Sequence, residues 1–279
     1  MYWKDNLFVL DSNGLDAVQT HLYGYIIIDS KVIDEEARQN GHQISLTGIG
    51  SYDYIERTGD TITISQDFLG SQGIYLYRNE DYFALSNSEL LLIERLKERY
   101  HLTLNRNYAL HLISSGHVVK SAEDTMINEI SFLDRHLQLT IDIPNRDMHI
   151  QHLDYKEHTV LPDSKEGLAV LDAWYHRWIH IFREAYVLTD NIEIDLSGGF
   201  DSRISFALMV NAGLDLNRIV VRSLNDGLHT HNEDYLIASQ IADDFGFPLN
   251  NYQYEKTGRY PVFTGRYSWN ITLYKGAGA

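Results

Sequence analysis

Ser197-Gly198-Gly199-Phe200-Asp201-Ser202 separates two segments of different periodicity, and its reading decides the fold of the C-terminal half. Before it, Asn191 to Leu196 (NIEIDL) alternates, with apolar residues at 192, 194 and 196, and predicts a strand. After it, Ser202 to Ala212 (SRISFALMVNA) predicts a helix closed by Gly213. A strand, a glycine turn and a helix start make an anion site. The first N–H groups of a helix lack internal acceptors, and the macrodipole adds about half a positive charge there. Gly198 and Gly199 are expected to let the backbone turn sharply and approach the anion without a Cβ in the way. Ser197 and Ser202 offer hydroxyl donors. A carboxylate beside phosphates needs a cation between them, which makes Asp201 a candidate Mg²⁺ ligand. The plain alternative is a glycine turn into a helix, with Asp201 favouring the positive helix end. No lysine follows the glycines, so this is not a G-x-x-x-x-G-K-[ST] loop.

The stretch resembles the PP-loop of the ATP pyrophosphatase superfamily, in particular the synthetase domain of the asparagine synthetase family. Arg218 to Ser223 (RIVVRS) is similar to that family's second strand. Asn232 to Gly246 (NEDYLIASQIADDFG) resembles its "D-E … A … A … L-G" helix, and Asn250 to Tyr254 its third strand. The chain departs from the pattern at Asp195, where an apolar residue is usual, at Phe200 for Leu, and at Arg203 for a second Ser. The resemblance implies ATP and Mg²⁺, with Leu196, Ser197, Gly198, Gly199, Asp201, Ser202 and Val221 around the nucleotide and Asp201 on the metal. Arg203 reads either as a contact to phosphate or a carboxylate substrate, or as a solvated surface arginine.

In the N-terminal half, Ile74-Tyr75-Leu76-Tyr77 and Phe83-Ala84-Leu85-Ser86 alternate around Asn79-Glu80-Asp81 and predict a hairpin. With Asp67-Phe68-Leu69-Gly70 ahead of it and a helix expected over Ser88 to Tyr100, this segment resembles the same family's glutaminase-type domain. Active members of that fold use an N-terminal Cys as nucleophile. This chain begins Met1-Tyr2-Trp3 and contains no cysteine, and neither Ser nor Thr stands at position 2. Glutaminase activity is therefore not expected, as in β-lactam synthetase and the lasso peptide cyclases, which the chain also resembles.

Bulk properties fit a two-domain protein: 279 residues, 44% hydrophobic, are enough for two compact cores. A net charge of −16 argues against nonspecific binding to nucleic acid or anionic membrane. The sequence has no 18-residue apolar run and no signal-peptide pattern, and its lack of cysteine fits a cytoplasmic location. The segment Gln151 to Pro162 is polar, ends in proline and is the expected boundary. Asp163 with Glu166 suggests a capping box, and Leu168, Leu171, Tyr175, Trp178, Phe182 and Ala185 then form a helical stripe expected to be core. His229 and His231 stand in an expected loop with Glu233 and Asp234 nearby, without the four-ligand spacing of a metal site.

The expected architecture is α/β with an α+β front half. Residues 1–155 form an Ntn-like αββα domain, and 160–279 a partial PP-loop (HUP-like) parallel sheet. The resemblance implies AMP-forming activation of a small-molecule or peptide carboxylate and its closure onto an amine, with a homodimer among the assemblies it allows. The family's later "G-x-G-A-D-E" segment has no counterpart before Ala279, so the chain is expected to be C-terminally incomplete and to bind ATP weakly if at all, without turnover. Two alternatives stay open: a PP-loop enzyme with another task, and a non-catalytic relative that binds a nucleotide or a partner. Purified protein is expected to release no glutamate from glutamine; release above a buffer control in a coupled assay overturns this.

Overall fold

The computed structural model describes residues 7–29, 31–46, 48–115, 124–133, 135–153, 159–188, 192–225 and 229–250. Most of the chain up to Lys156 forms one unit, and the described residues from 159 onward form a second. The architecture is mixed α and β with antiparallel sheets. No helix among the described residues is long and apolar enough to cross a membrane.

The first unit contains two antiparallel sheets. One has four strands in the order β1 (Val9–Asp11), β7 (Phe83–Ser86), β6 (Ile74–Arg78) and β8 (Ile130–Leu133). The other has six: β10 (Asp147–His152), β9 (Leu137–Asp142), β5 (Thr61–Gln66), β4 (Ile49–Thr58), β2 (His21–Ile28) and β3 (Lys31–Ile33). The expected hairpin is β6–β7, paired Tyr75 to Ser86 and Arg78 to Phe83. Strand alternation sorts its side chains into layers. Ile74, Leu76, Phe83 and Leu85 share one core with Ile55, Ile62, Ile64, Leu139 and Ile141 of the six-stranded sheet. The opposite faces carry a layer each. Tyr77, Tyr82 and Ala84 pack with Leu92 and Leu96 of α2 (Glu89–Leu96). Tyr52, Tyr54, Leu22 and Ile26 pack with Ala37 of α1 (Glu35–Gln39). The order is helix, sheet, sheet, helix. The α2 helix stops at Leu96, short of the expected Tyr100, and Ser88 caps it by accepting from the Leu91 N–H. A further helix, α3, spans Arg106–Ser115.

Two buried aspartates in this unit behave oppositely. Asp67, 2% exposed, accepts from the N–H groups of Tyr52, Leu69 and Ser71 and from the Ser71 hydroxyl, so it ties β4 to the loop leaving β5. Asp53 is 0% exposed on β4, and neither of its carboxyl oxygens meets a donor at hydrogen-bond geometry. Burial pushes the Asp53 carboxyl well above its ordinary value; the nearby Asn87 side chain opposes this and the Asp67 charge adds to it.

In the second unit, α4 (Lys165–Leu188) precedes β11 (Ile192–Asp195), α5 (Phe200–Asn211), β12 (Ile219–Arg222) and α6 (His229–Phe245). The cap of α4 is Ser164 rather than Asp163: its Oγ accepts the Gly167 N–H at 3.0 Å. The apolar stripe of α4 is core only in its later part. Phe182 and Tyr186 join the buried cluster, and Ile179 packs with Leu208 and Ala212, whereas Leu168 and Leu171 are each more than half exposed. Gln151 and His152 belong to β10, and the first unit runs to Lys156, inside the segment expected as the boundary. The two strands pair in parallel, Ile192 with Ile219 through Asp195 with Arg222. A single parallel bridge joins Val221 to Leu249; the third strand expected over Asn250 to Tyr254 lies, apart from Asn250, outside the described residues.

The Asp53 environment sets a pH dependence. An unfolded Asp53 ionises near its ordinary 3.8, whereas the folded chain keeps the proton to higher pH. The folded state therefore binds more protons above that value, and this group's contribution to stability falls as pH rises toward the folded pKa. Asp53→Asn, which cannot ionise, is expected to melt at a higher temperature than wild type, with the gap widening from about pH 4 to about pH 7. A gap that is constant or narrows across that range in calorimetry overturns this account.

Candidate functional site

Residues 196–199 join β11 to α5. Helix α5 begins at Phe200, two residues earlier than the sequence suggests, with Gly199 as its N-cap and no side chain capping it. The N–H groups of Phe200, Asp201 and Ser202 are thus those that an α-helix leaves without internal acceptors. The expected close is observed: Gly213 adopts φ +73 just past the helix.

Behind this opening, the loop bonds to itself. The Ser197 and Ser202 hydroxyls share a hydrogen bond at 3.0 Å. The Ser197 N–H donates to Ser202 Oγ at 3.1 Å, and the Gly199 N–H to Ser197 Oγ at 3.2 Å. The structure thus brings Ser197 and Ser202 together. Asp201 lies exposed in the first turn of α5. Leu196 and Val221, at 1% and 0% exposure, direct their side chains into the core of the unit, so what they offer toward the loop is backbone.

The glycines are explained differently from the expectation. Neither Gly198 nor Gly199 has a positive φ; Gly199 sits at φ −69, ψ 153, which any residue adopts. At Gly198 the close neighbours are the ends of two side chains. A Cβ there would lie 2.7 Å from Asp234 Oδ1 and 2.8 Å from Ile237 Cδ1, both on α6. A Cβ on Gly199 would meet only Ser197 Oγ, at 3.3 Å. The Gly198 N–H donates to Asp234 Oδ1 at 2.8 Å. Sequence reasoning gave Asp234 no role; the available signal was the i, i+3 pair of Asp234 and Ile237 on the helix that resembles the family's "D-E" element.

Charge around the loop is mostly self-compensated. Arg222 reaches Glu193 at 3.1 Å and Asp195 at 3.3 Å, which accounts for an acid in a strand position where an apolar residue was expected. Arg203 donates from Nε to the Gly199 carbonyl at 3.2 Å, and its guanidinium lies 4.9 Å from the centre of the Phe200 ring, itself 77% exposed. His229 and His231 stand in the first turn of α6 rather than in a loop. No group of three or more metal-ligating side chains occurs among the described residues.

No protein-family model and no curated protein matches the chain. Similar solved structures include glutamine phosphoribosylpyrophosphate amidotransferase from B. subtilis, complexed with ADP and GMP. It has 12% identity over 74% of this chain and 44% of that one, with a TM-score of 0.23. A second is an allosteric regulatory enzyme of purine biosynthesis, 11% identical over 68% of this chain and 37% of that one, with a TM-score of 0.23. The chain spans less than half the length of either structure. Likeness at that TM-score assigns neither fold nor activity.

The packing at Gly198 gives a direct prediction. Gly198→Ala must turn aside the ends of the Asp234 and Ile237 side chains, which disturbs the Gly198 N–H bond to Asp234, and is expected to cost about 1–2 kcal/mol of stability. Gly199→Ala meets one rotatable hydroxyl and loses a favourable cap residue, for below about 1 kcal/mol. Denaturant melts of the two variants check the order; equal destabilisation contradicts it.

Proposed function

We propose that the 197–202 loop holds the phosphates of ATP with Mg²⁺ at Asp201. On this reading residues 160–279 are a PP-loop domain of the asparagine synthetase type and residues 1–155 an Ntn-like domain without glutaminase function. The single observation that carries it is the opening of α5: a helix start with no side-chain cap, flanked by two hydroxyls 3.0 Å apart. Three N–H groups converge there, and the macrodipole favours an anion. The opening follows the C-terminal end of a parallel strand, the edge at which open α/β sheets take their ligands. The helix–sheet–sheet–helix layering of the first unit is consistent with the second half of the reading.

The reaction would join a small-molecule or peptide carboxylate to an amine. A carboxylate oxygen attacks the α-phosphorus of ATP and pyrophosphate leaves. The amine nitrogen then attacks the acyl carbon, releasing AMP and a proton and forming the amide. The chain's own part is positioning: N–H groups of the α5 turn and the two serine hydroxyls toward the pyrophosphate, and Asp201 toward a cation. Mg²⁺ would neutralise phosphate charge that the acidic chain cannot.

Calorimetric titration of the 279-residue chain with ATP tests the reading. Binding is expected with Mg²⁺. It should weaken about tenfold in Asp201→Ala when Mg²⁺ is limiting, and be lost in Gly199→Val, whose branched side chain crowds the opening. Equal binding by wild type and both variants overturns it.

A further inference from the structure

We infer that Asp234 is the positioning residue of the phosphate loop, holding it in its open geometry from α6; this rests on the nucleotide reading above. Among the described residues, the N–H groups of Ser197 and Gly199 are satisfied inside the loop, by Ser202 Oγ and Ser197 Oγ. The Gly198 N–H alone of the three is held from another element, by Asp234 Oδ1 at 2.8 Å. A carboxylate acceptor makes this a charge-assisted bond, stronger than the neutral ones around it.

The helix that carries Asp234 is firmly seated. Ala238 and Ala242, at 0% and 4% exposure, bring α6 into the cluster formed by Leu196 and Val221 of the strand region. Small residues permit that close approach, and the missing Cβ of Gly198 completes it, with Ile237 Cδ1 filling the adjacent space. The Gly198 peptide is therefore fixed between the strand that precedes it and a docked helix. Fixing that peptide keeps Ser197 and Ser202 facing each other and leaves the α5 opening clear. Asp234 acts through the loop backbone and touches no phosphate itself. What the bond requires is an acceptor oxygen at that place, which an asparagine also supplies.

The experiment uses the full 279-residue chain with wild type, Asp234→Ala and Asp234→Asn, and pyrophosphate with Mg²⁺ as the probe. Amide hydrogen exchange at Gly198 is read without ligand, and pyrophosphate affinity by calorimetry. The expected result is slow exchange in wild type and Asp234→Asn and fast exchange in Asp234→Ala. Affinity should fall about tenfold in Asp234→Ala and stay within about threefold in Asp234→Asn. Three outcomes overturn the inference: Asp234→Ala binding as tightly as wild type or tighter, which makes the carboxylate a competitor for the site; Asp234→Asn failing like Asp234→Ala, which makes charge rather than acceptor geometry the requirement; and exchange at Gly198 that ignores both variants. Absence of pyrophosphate binding by wild type removes the nucleotide reading instead, and the exchange data then still decide whether Asp234 tethers the loop.

Discussion

The approach of the 197–199 backbone to α6 constrains everything around the candidate site. A Cβ on Gly198 would have to turn aside the ends of the Asp234 and Ile237 side chains, and the Gly198 N–H donates to Asp234. Moving α6 outward by the radius of a methyl group would break that bond and open a void beside Ala238, which is wholly buried. The parallel pair, the docked helix and the loop geometry are thus one packing solution. The hydroxyls of Ser197 and Ser202 meet within the same loop, and the start of α5 is uncapped because its N-cap residue, Gly199, has no side chain.

Much of this was legible in the sequence, for definable reasons. Alternation at 192, 194 and 196, and at 74, 76, 83 and 85, marked strands because each has one face turned to a core. Gly213 marked the end of α5 because the residue after a helix commonly adopts a positive φ. The reason for Gly198 was not legible. A glycine needed for conformation and a glycine needed for a neighbouring helix look the same in a string, and the neighbour here lies 36 residues downstream. The exposed first half of the α4 stripe was hidden for a related reason. Periodicity shows that Leu168 and Leu171 share a face with Phe182, but not how far along the helix that face is covered.

Asp53 and Asp67 make the same point in the first unit. Each is a buried aspartate close to β4, Asp67 opening the glycine-containing segment 67–70 and Asp53 lying inside the strand. Asp67 ends its strand region in a turn whose N–H groups converge on it, so its burial is compensated by four donors. Asp53 lies mid-strand, where the ladder already uses the backbone N–H groups and its side chain points between the sheets. Its burial favours the protonated carboxyl, against a smaller opposing effect of the Asn87 side chain.

The electrostatics of the loop decide what an anion would need there. An incoming phosphate must replace the bonds that Ser197 and Ser202 already make to one another and to the loop N–H groups, so those exchanges yield little net energy. Arg222 is committed to Glu193 and Asp195, and Arg203 is drawn toward Gly199 and Phe200. Asp201 and Asp234 bring two carboxylates to the same few residues. The favourable terms that remain are the N–H groups at the start of α5 and its dipole, on the order of 1 kcal/mol for the latter. Against the charge of a triphosphate and two neighbouring aspartates, that is too little without a divalent cation. On the proposed reading a nucleotide at this helix start would therefore depend on a divalent cation, and Asp201, exposed in the first turn of α5, is the carboxylate that would hold it.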